Sequence, residues 1–151
     1  MMKSMKCWAT AGFLALAATG AQAEVTNIDN AELARLAAAG AVVVDIRTEG
    51  EWKETGVIPG SHLLTFFDEN GRANPQAWLE KLKAVAPPGQ PVVLICRSGN
   101  RTRPVSQLLD QQAGYGKVYN VTSGIRAWAG EGRPLVPAST AVAGCPAGQR
   151  C

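Results

Sequence analysis

Imidazole is nearly missing from this chain: His62 is its single histidine in 151 residues. No cluster of ligand side chains at metal-binding spacing accompanies it, so no metal centre is expected. A Cys–His base pair is conceivable, but nothing in the spacing brings His62 to a particular cysteine, and a structural or partly exposed role is the plainer expectation. Aromatic residues make up only 6% and are not interleaved with a basic patch. They read as core and not as a platform for nucleic acid. The glycines form neither a Rossmann nor a P-loop fingerprint, so no nucleotide cofactor is expected. Internal repeats and a second domain are also absent. With 46% hydrophobic and 18% charged residues the composition is that of a globular domain.

Long apolar runs are lacking as well. The first 23 residues carry Lys3 and Lys6, a short apolar stretch from Phe13 to Ala18, and Ala21-Gln22-Ala23 before Glu24. That is the layout of a cleavable export signal, too short for an ordinary membrane span. Its removal takes away two lysines and no acid, lowering the net charge from +3 to +1. So weak a charge supports neither nucleic-acid nor membrane binding by the mature chain. A periplasmic or secreted location follows, and with it an oxidising compartment. Three cysteines then remain: Cys96, Cys145 and Cys151. The simplest partition joins Cys145 to Cys151 within a Gly-rich tail and leaves Cys96 free. The other partition leaves both tail thiols unpaired or on a metal.

The chain is organised around Pro91 to Thr102. Val92-Val93-Leu94-Ile95 reads as a buried strand. Polarity changes abruptly after Cys96, and Arg97, Ser98, Gly99, Asn100 and Arg101 form a loop. A helical pattern follows from Thr102, with Val105, Leu108 and Leu109 on one face and Pro104 in its first turn. Cys96 thus stands at the carboxyl end of a strand and before a helix N-terminus, where open α/β sheets place their ligands. Converging backbone N–H groups and two arginines favour an anion there, and a thiolate is both an anion and a nucleophile. The bland alternative is a buried structural cysteine.

Cys96-Arg97-Ser98-Gly99-Asn100-Arg101-Thr102 resembles the active-site loop of the rhodanese, or sulfurtransferase, family. Val42 to Thr48 with Glu51-Trp52, Val57 to Ser61, and Val118 to Val121 with Ser123-Gly124-Ile125, Trp128 and Arg133-Pro134 are similar to its other signatures. Together they span about residues 28 to 136. Val57, Ser61 and Ser123 depart from the residues frequent in that family. The resemblance implies a rhodanese-like three-layer α/β fold: a central, mainly parallel sheet of about five strands flanked by helices. It implies a domain over 24–137, with 138–151 a flexible tail carrying the cysteine pair. It also implies transfer of a sulfane sulfur from a small anionic donor such as thiosulfate to a thiol or cyanide acceptor, through a persulfide on Cys96. In that scheme Arg97 attracts the donor, and backbone N–H groups across Arg97, Ser98, Gly99, Asn100 and Arg101 hold the anion. Arg101 ties the loop to Asp45 or a neighbouring carbonyl, and Gly99 supplies a left-handed turn. Asp45 and Arg47 are either supporting site residues or a structural ion pair.

Other classes remain in view. A non-catalytic module could present Cys96 to a thiol-redox protein partner. A phosphatase or arsenate reductase would also use a cysteine, a loop and an arginine. The phosphatase branch of the resembling family has a loop one residue longer than the four residues between Cys96 and Arg101.

Along the chain, Val25 to Ile28 is expected as a first strand. Asp29 and Glu32 are expected as a capping box for a helix ending at Gly40. Strands are expected at Ala41 to Ile46, His62 to Leu64 and Val118 to Val121. A helical turn is expected at Glu49 to Glu54, and helices after Asn74-Pro75 and at Ile125 to Ala129. After Gly130 an extended wrap and a mobile end are expected.

Overall fold

The computed structural model describes residues 24–141. The proposed leader and the Cys145–Cys151 pair lie outside the described residues. The elements in order are β1 (Glu24–Ile28), α1 (Asn30–Ala38), β2 (Val42–Asp45), α2 (Glu49–Thr55), β3 (His62–Leu63), α3 (Pro75–Val85), β4 (Val92–Ile95), α4 (Thr102–Gln112), β5 (Lys117–Val121), α5 (Gly124–Gly130) and α6 (Ala138–Ala141). All strand pairs are parallel, in the order β1-β5-β4-β2-β3.

The alternation of β4 builds the layers. Val92, Leu94 and Cys96 face one side, where they pack with Trp78 and Leu82 of α3 and Val105 and Leu109 of α4. Val93 and Ile95 face the other, against Leu33 and Leu36 of α1 and Ile125 and Trp128 of α5. A strand buried on both faces must be apolar throughout, and all four β4 residues are buried. Each such side chain contributes about 1.5–3 kcal/mol by leaving water. The three-layer α/β arrangement is therefore the expected one, and it sets the carboxyl ends of β2 and β4 side by side, with Asp45 opposite Ile95.

Helix starts follow local chemistry. The Asp29 carboxylate accepts the Glu32 N–H at 2.8 Å, and Asn74 Oδ1 accepts the Ala77 N–H at 3.1 Å ahead of Pro75. Two expectations need correction. Glu32 does not close a capping box; its carboxylate turns to Arg35, at 2.7 and 2.5 Å. The full box stands at Thr48 and Glu51, at the start of α2. The chain after Gly130 is also not merely an extended wrap. Val136 exchanges two backbone hydrogen bonds with Val57, both 2.9 Å, and the first residues of the expected tail form α6. Val136, Ala138 and Ala141 pack on Trp52, Val57 and Leu63, an apolar patch that an extended end would leave wet.

Candidate active site

Cys96 follows the last residue of β4 and is 1% exposed. Loop residues 97–101 turn back over it before α4 begins. The Gly99 N–H donates to Cys96 Sγ at 3.2 Å. Thr102 Oγ1 lies 3.8 Å from the same sulfur and donates to the Gly99 carbonyl at 3.0 Å. Of the backbone donors expected to converge, Gly99 is the one bonded to sulfur. The side chains of Arg97, Ser98 and Asn100 are exposed at the rim. An amide dipole aimed at a buried sulfur suits a group that carries negative charge during reaction, while the Thr102 hydroxyl, its proton on the Gly99 carbonyl, braces the loop backbone.

Two glycines let the loop sit where it does. Gly99 has φ +84, and a Cβ on it would lie 2.1 Å from the Thr122 carbonyl oxygen. Gly124 has φ +66, and a Cβ there would lie 2.4 Å from the Arg97 carbonyl oxygen. With no side chain between them, the backbone of the loop rests on the start of α5. Ile125 N–H donates to the Cys96 carbonyl at 2.9 Å and Arg126 N–H to the Arg97 carbonyl at 3.2 Å. The left-handed turn expected at Gly99 is present, but close approach restricts the position as much as φ does.

The acidic partners are distributed differently from the expectation. Arg101 does not reach Asp45. Its Nη1 and Nη2 donate to Glu51 Oε2 and Oε1 at 2.7 and 2.6 Å, a bidentate pair across the mouth of the site. That pairing holds the Glu51 carboxyl below the ordinary glutamate range and raises Arg101 above the ordinary arginine value. Asp45 is taken by Arg47, whose Nη2 lies 2.7 Å from Oδ2, with side chains 0% and 1% exposed. Arg47 also donates to Thr55 Oγ1 at 2.7 Å and to the Gly56 carbonyl at 2.9 Å. Of the two alternatives for Asp45 and Arg47, the geometry favours the structural ion pair: it fastens α2, and α2 presents Glu51 to the loop.

Glu51 and Thr102 stand within the motifs read from the sequence, but sequence reasoning gave neither a role in the site. Thr48-x-x-Glu51 is a capping-box pattern, and Thr102 opens a helix beside the nucleophile; each was a readable signal. His62 is half-buried on β3 opposite Val44, and burial lowers its pKa below the ordinary value. Beside the loop, a cleft of about 250 Å³ is lined by Arg97, Ile125, Arg126, Ala129 and Leu135 on one side and by α2 on the other.

Comparison with known proteins agrees with this geometry. The rhodanese-like domain family matches residues 29–131. A sulfurtransferase of Allochromatium vinosum is 37% identical over 95 residues, covering 63% of this chain and 78% of that protein. Thiosulfate sulfurtransferase 18 of Arabidopsis thaliana is 27% identical over 118 residues, covering 74% of this chain and 84% of that one. Among solved structures, the polysulfide-sulfur transferase homodimer of Wolinella succinogenes superposes with a TM-score of 0.59 at 21% identity, covering 77% of this chain and 81% of that chain. That last likeness concerns the fold alone. A cysteine loop at the end of a parallel strand, in a chain matched by the family from the start of its first helix to the end of its last sheet-packed one, makes this protein a member of the rhodanese-like domain family.

Proposed function

We propose that the chain is an exported sulfurtransferase that moves a sulfane sulfur from thiosulfate, or a similar small anion, to a thiophilic acceptor. One observation carries the reading: Cys96 Sγ sits in a loop with four residues between it and Arg101, and its hydrogen-bond donor is a backbone amide, Gly99 N–H at 3.2 Å. The Cys96 thiolate attacks the outer sulfur of thiosulfate. A new S–S bond forms on Cys96, the old one breaks, and sulfite leaves with the electron pair. The Gly99 amide steadies the anionic charge, and Arg97 at the rim draws the donor in. A thiolate or cyanide then attacks the outer sulfur, and the bonding pair returns to Cys96 Sγ. The short loop suits a small sulfur centre better than a phosphoryl group. Lys3, Lys6, the apolar stretch and Ala21-Gln22-Ala23 support export, and cleavage after Ala23 would leave β1 whole. A thiol-redox protein partner would keep Cys96 reduced outside the cytoplasm.

The test is turnover of purified protein with thiosulfate and cyanide, together with mass spectrometry of the thiosulfate-treated chain. The Cys96 peptide should gain one sulfur, about 32 Da. Cys96→Ser should lose both the added mass and turnover while keeping the fold. Added mass on Cys145 or Cys151 instead would overturn the assignment of Cys96.

A further inference from the structure

The cleft beside the loop contains more than a small inorganic anion needs. Thiosulfate and cyanide have no hydrocarbon body, yet one wall is apolar, made by Ile125, Ala129 and Leu135. The cleft also carries Arg97, Arg126 and Glu54, all exposed, and among the described residues none of these three has an ion-pair partner. Its other charged groups are already committed: Arg47 to Asp45, and Glu51 to Arg101. What is left is an apolar strip flanked by uncommitted charges of both signs. At about 250 Å³ the cleft falls below the range of drug-sized pockets, ~300–1,000 Å³, which suits a small organic molecule.

We propose that this cleft selects the sulfur acceptor, and that the acceptor is a low-molecular-weight zwitterionic thiol of the amino-acid class, its carboxylate on Arg126 and its ammonium on Glu54. The assignment rests on the reading that Cys96 carries the sulfur. Position supports it. Ile125, on the cleft wall, donates its N–H to the Cys96 carbonyl at 2.9 Å, and Arg97, on the rim, is the residue after the nucleophile. A thiol bound along the apolar wall therefore lies against the loop that holds the persulfide. Its thiolate attacks the outer sulfur of the protonated persulfide. The bond from that sulfur to Cys96 breaks, the electron pair returns to Sγ, and the acceptor leaves as its own persulfide, so no external oxidant or reductant is consumed. Arg97 remains with the anionic donor, which leaves Arg126 for the acceptor. The two charged side chains are specificity-determining groups that touch the acceptor's ends and not its sulfur.

The test uses four thiols as acceptors from thiosulfate-loaded protein: cysteine, cysteamine, 3-mercaptopropionate and ethanethiol. Each kcat/KM is divided by the same variant's value for cyanide, which removes any general damage. Arg126→Ala should lower the ratio about three- to fivefold for cysteine and 3-mercaptopropionate, but not for cysteamine or ethanethiol. Glu54→Gln should lower it by a similar factor for cysteine and cysteamine alone. A crossed pattern of this kind cannot come from a merely structural effect. Equal loss for all four thiols, or no loss in either variant, would overturn the acceptor assignment while leaving sulfur transfer standing. A wild type that forms no persulfide on Cys96 would overturn both.

Discussion

Glu51 and Arg101 stand 50 residues apart in sequence and meet in a two-pronged ion pair at 2.6 and 2.7 Å. The same carboxylate accepts the Thr48 N–H at 3.1 Å, so one acid both starts α2 and tethers the end of the cysteine loop. Glu51→Gln keeps the shape but removes the charge. It should cost about 1 kcal/mol, since the pair is only partly buried, and lower Tm by about 3–5 °C. The pH dependence has a fixed sign. A carboxyl held below its ordinary value gives stability that is fully present above that value, 4.5, and is lost as the pH falls through the lowered one. Thermal melts of wild type and Glu51→Gln should therefore differ at pH 7 and converge under stronger acid. A gap that stays constant into acid would mean the pair adds nothing by its charge.

Arg97 and Arg101 should separate in kinetics. Arg97 is exposed at the rim, so Arg97→Ala should chiefly raise KM for thiosulfate. Arg101 fastens the loop through Glu51, so Arg101→Ala should lower kcat and Tm together. Steady-state kinetics showing the same pure KM effect for both would contradict this division.

Much of this was legible in the sequence because local rules and tertiary structure agree. Val92 to Ile95 reads as a strand buried on both faces, and Asn74-Pro75 as the opening of a helix, and both are found so. Cys96 was placed correctly because a strand, a polarity break and a helix start fix one point. The partner of Arg101 was not legible from spacing. Asp45 and Glu51 are both acids near the same sheet edge, and only packing decides that Arg47 saturates the first. α6 escaped because Ala138–Ala141 has no periodicity of its own; it is held by Trp52, Val57 and Leu63, which lie far back in the chain.

Asp45→Ala should be among the most damaging changes outside the loop. It strands the Arg47 guanidinium, 1% exposed, without its carboxylate. Breaking a buried pair in this way costs about 3–5 kcal/mol. Urea denaturation should show the loss directly. A change below about 1 kcal/mol would show that Thr55, Gly56 and the Glu51 carbonyl, which accepts from Arg47 Nη1 at 3.4 Å, suffice for Arg47.

Gly124→Ala tests the backbone contact beneath the loop. The added Cβ would meet the Arg97 carbonyl oxygen at 2.4 Å, and φ +66 suits no L-residue side chain well. Backbone strain alone costs on the order of 1–3 kcal/mol, and the displaced carbonyl pulls on the peptide next to Cys96. Persulfide formation should fall more steeply than Tm. Normal rates of Cys96 alkylation and sulfur loading in this variant would refute the tight seat.

The tail cysteines form a separate question. Cys145 and Cys151 are expected to be joined, because a Gly-containing loop of that length lets the Cα atoms approach to about 5.5 Å. A short loop adds little stability, so reduction and alkylation should hardly move Tm. Non-reducing peptide maps of protein produced in an oxidising compartment should contain the linked pair and an unlinked Cys96. A Cys96 joined to either tail residue would replace sulfur transport with a redox switch.

The sheet order makes the first strand wait for the last. β1 pairs with β5 alone, from Glu24 opposite Lys117 to Ile28 opposite Val121, and Asn120 donates from its side chain to Asn27 across 93 residues. Until the ribosome has delivered β5, β1 has no neighbour and α1 has only part of its floor. Closing so long a loop is entropically costly and makes the final pairing slow, so a nascent chain shorter than about 120 residues carries an unclosed sheet edge. During synthesis the domain therefore lacks a stable half: it matures as one cooperative unit, and in that interval the edge most exposed to wrong pairing is the apolar flank of β4 that β5 will cover, the place where a chaperone would guard the chain.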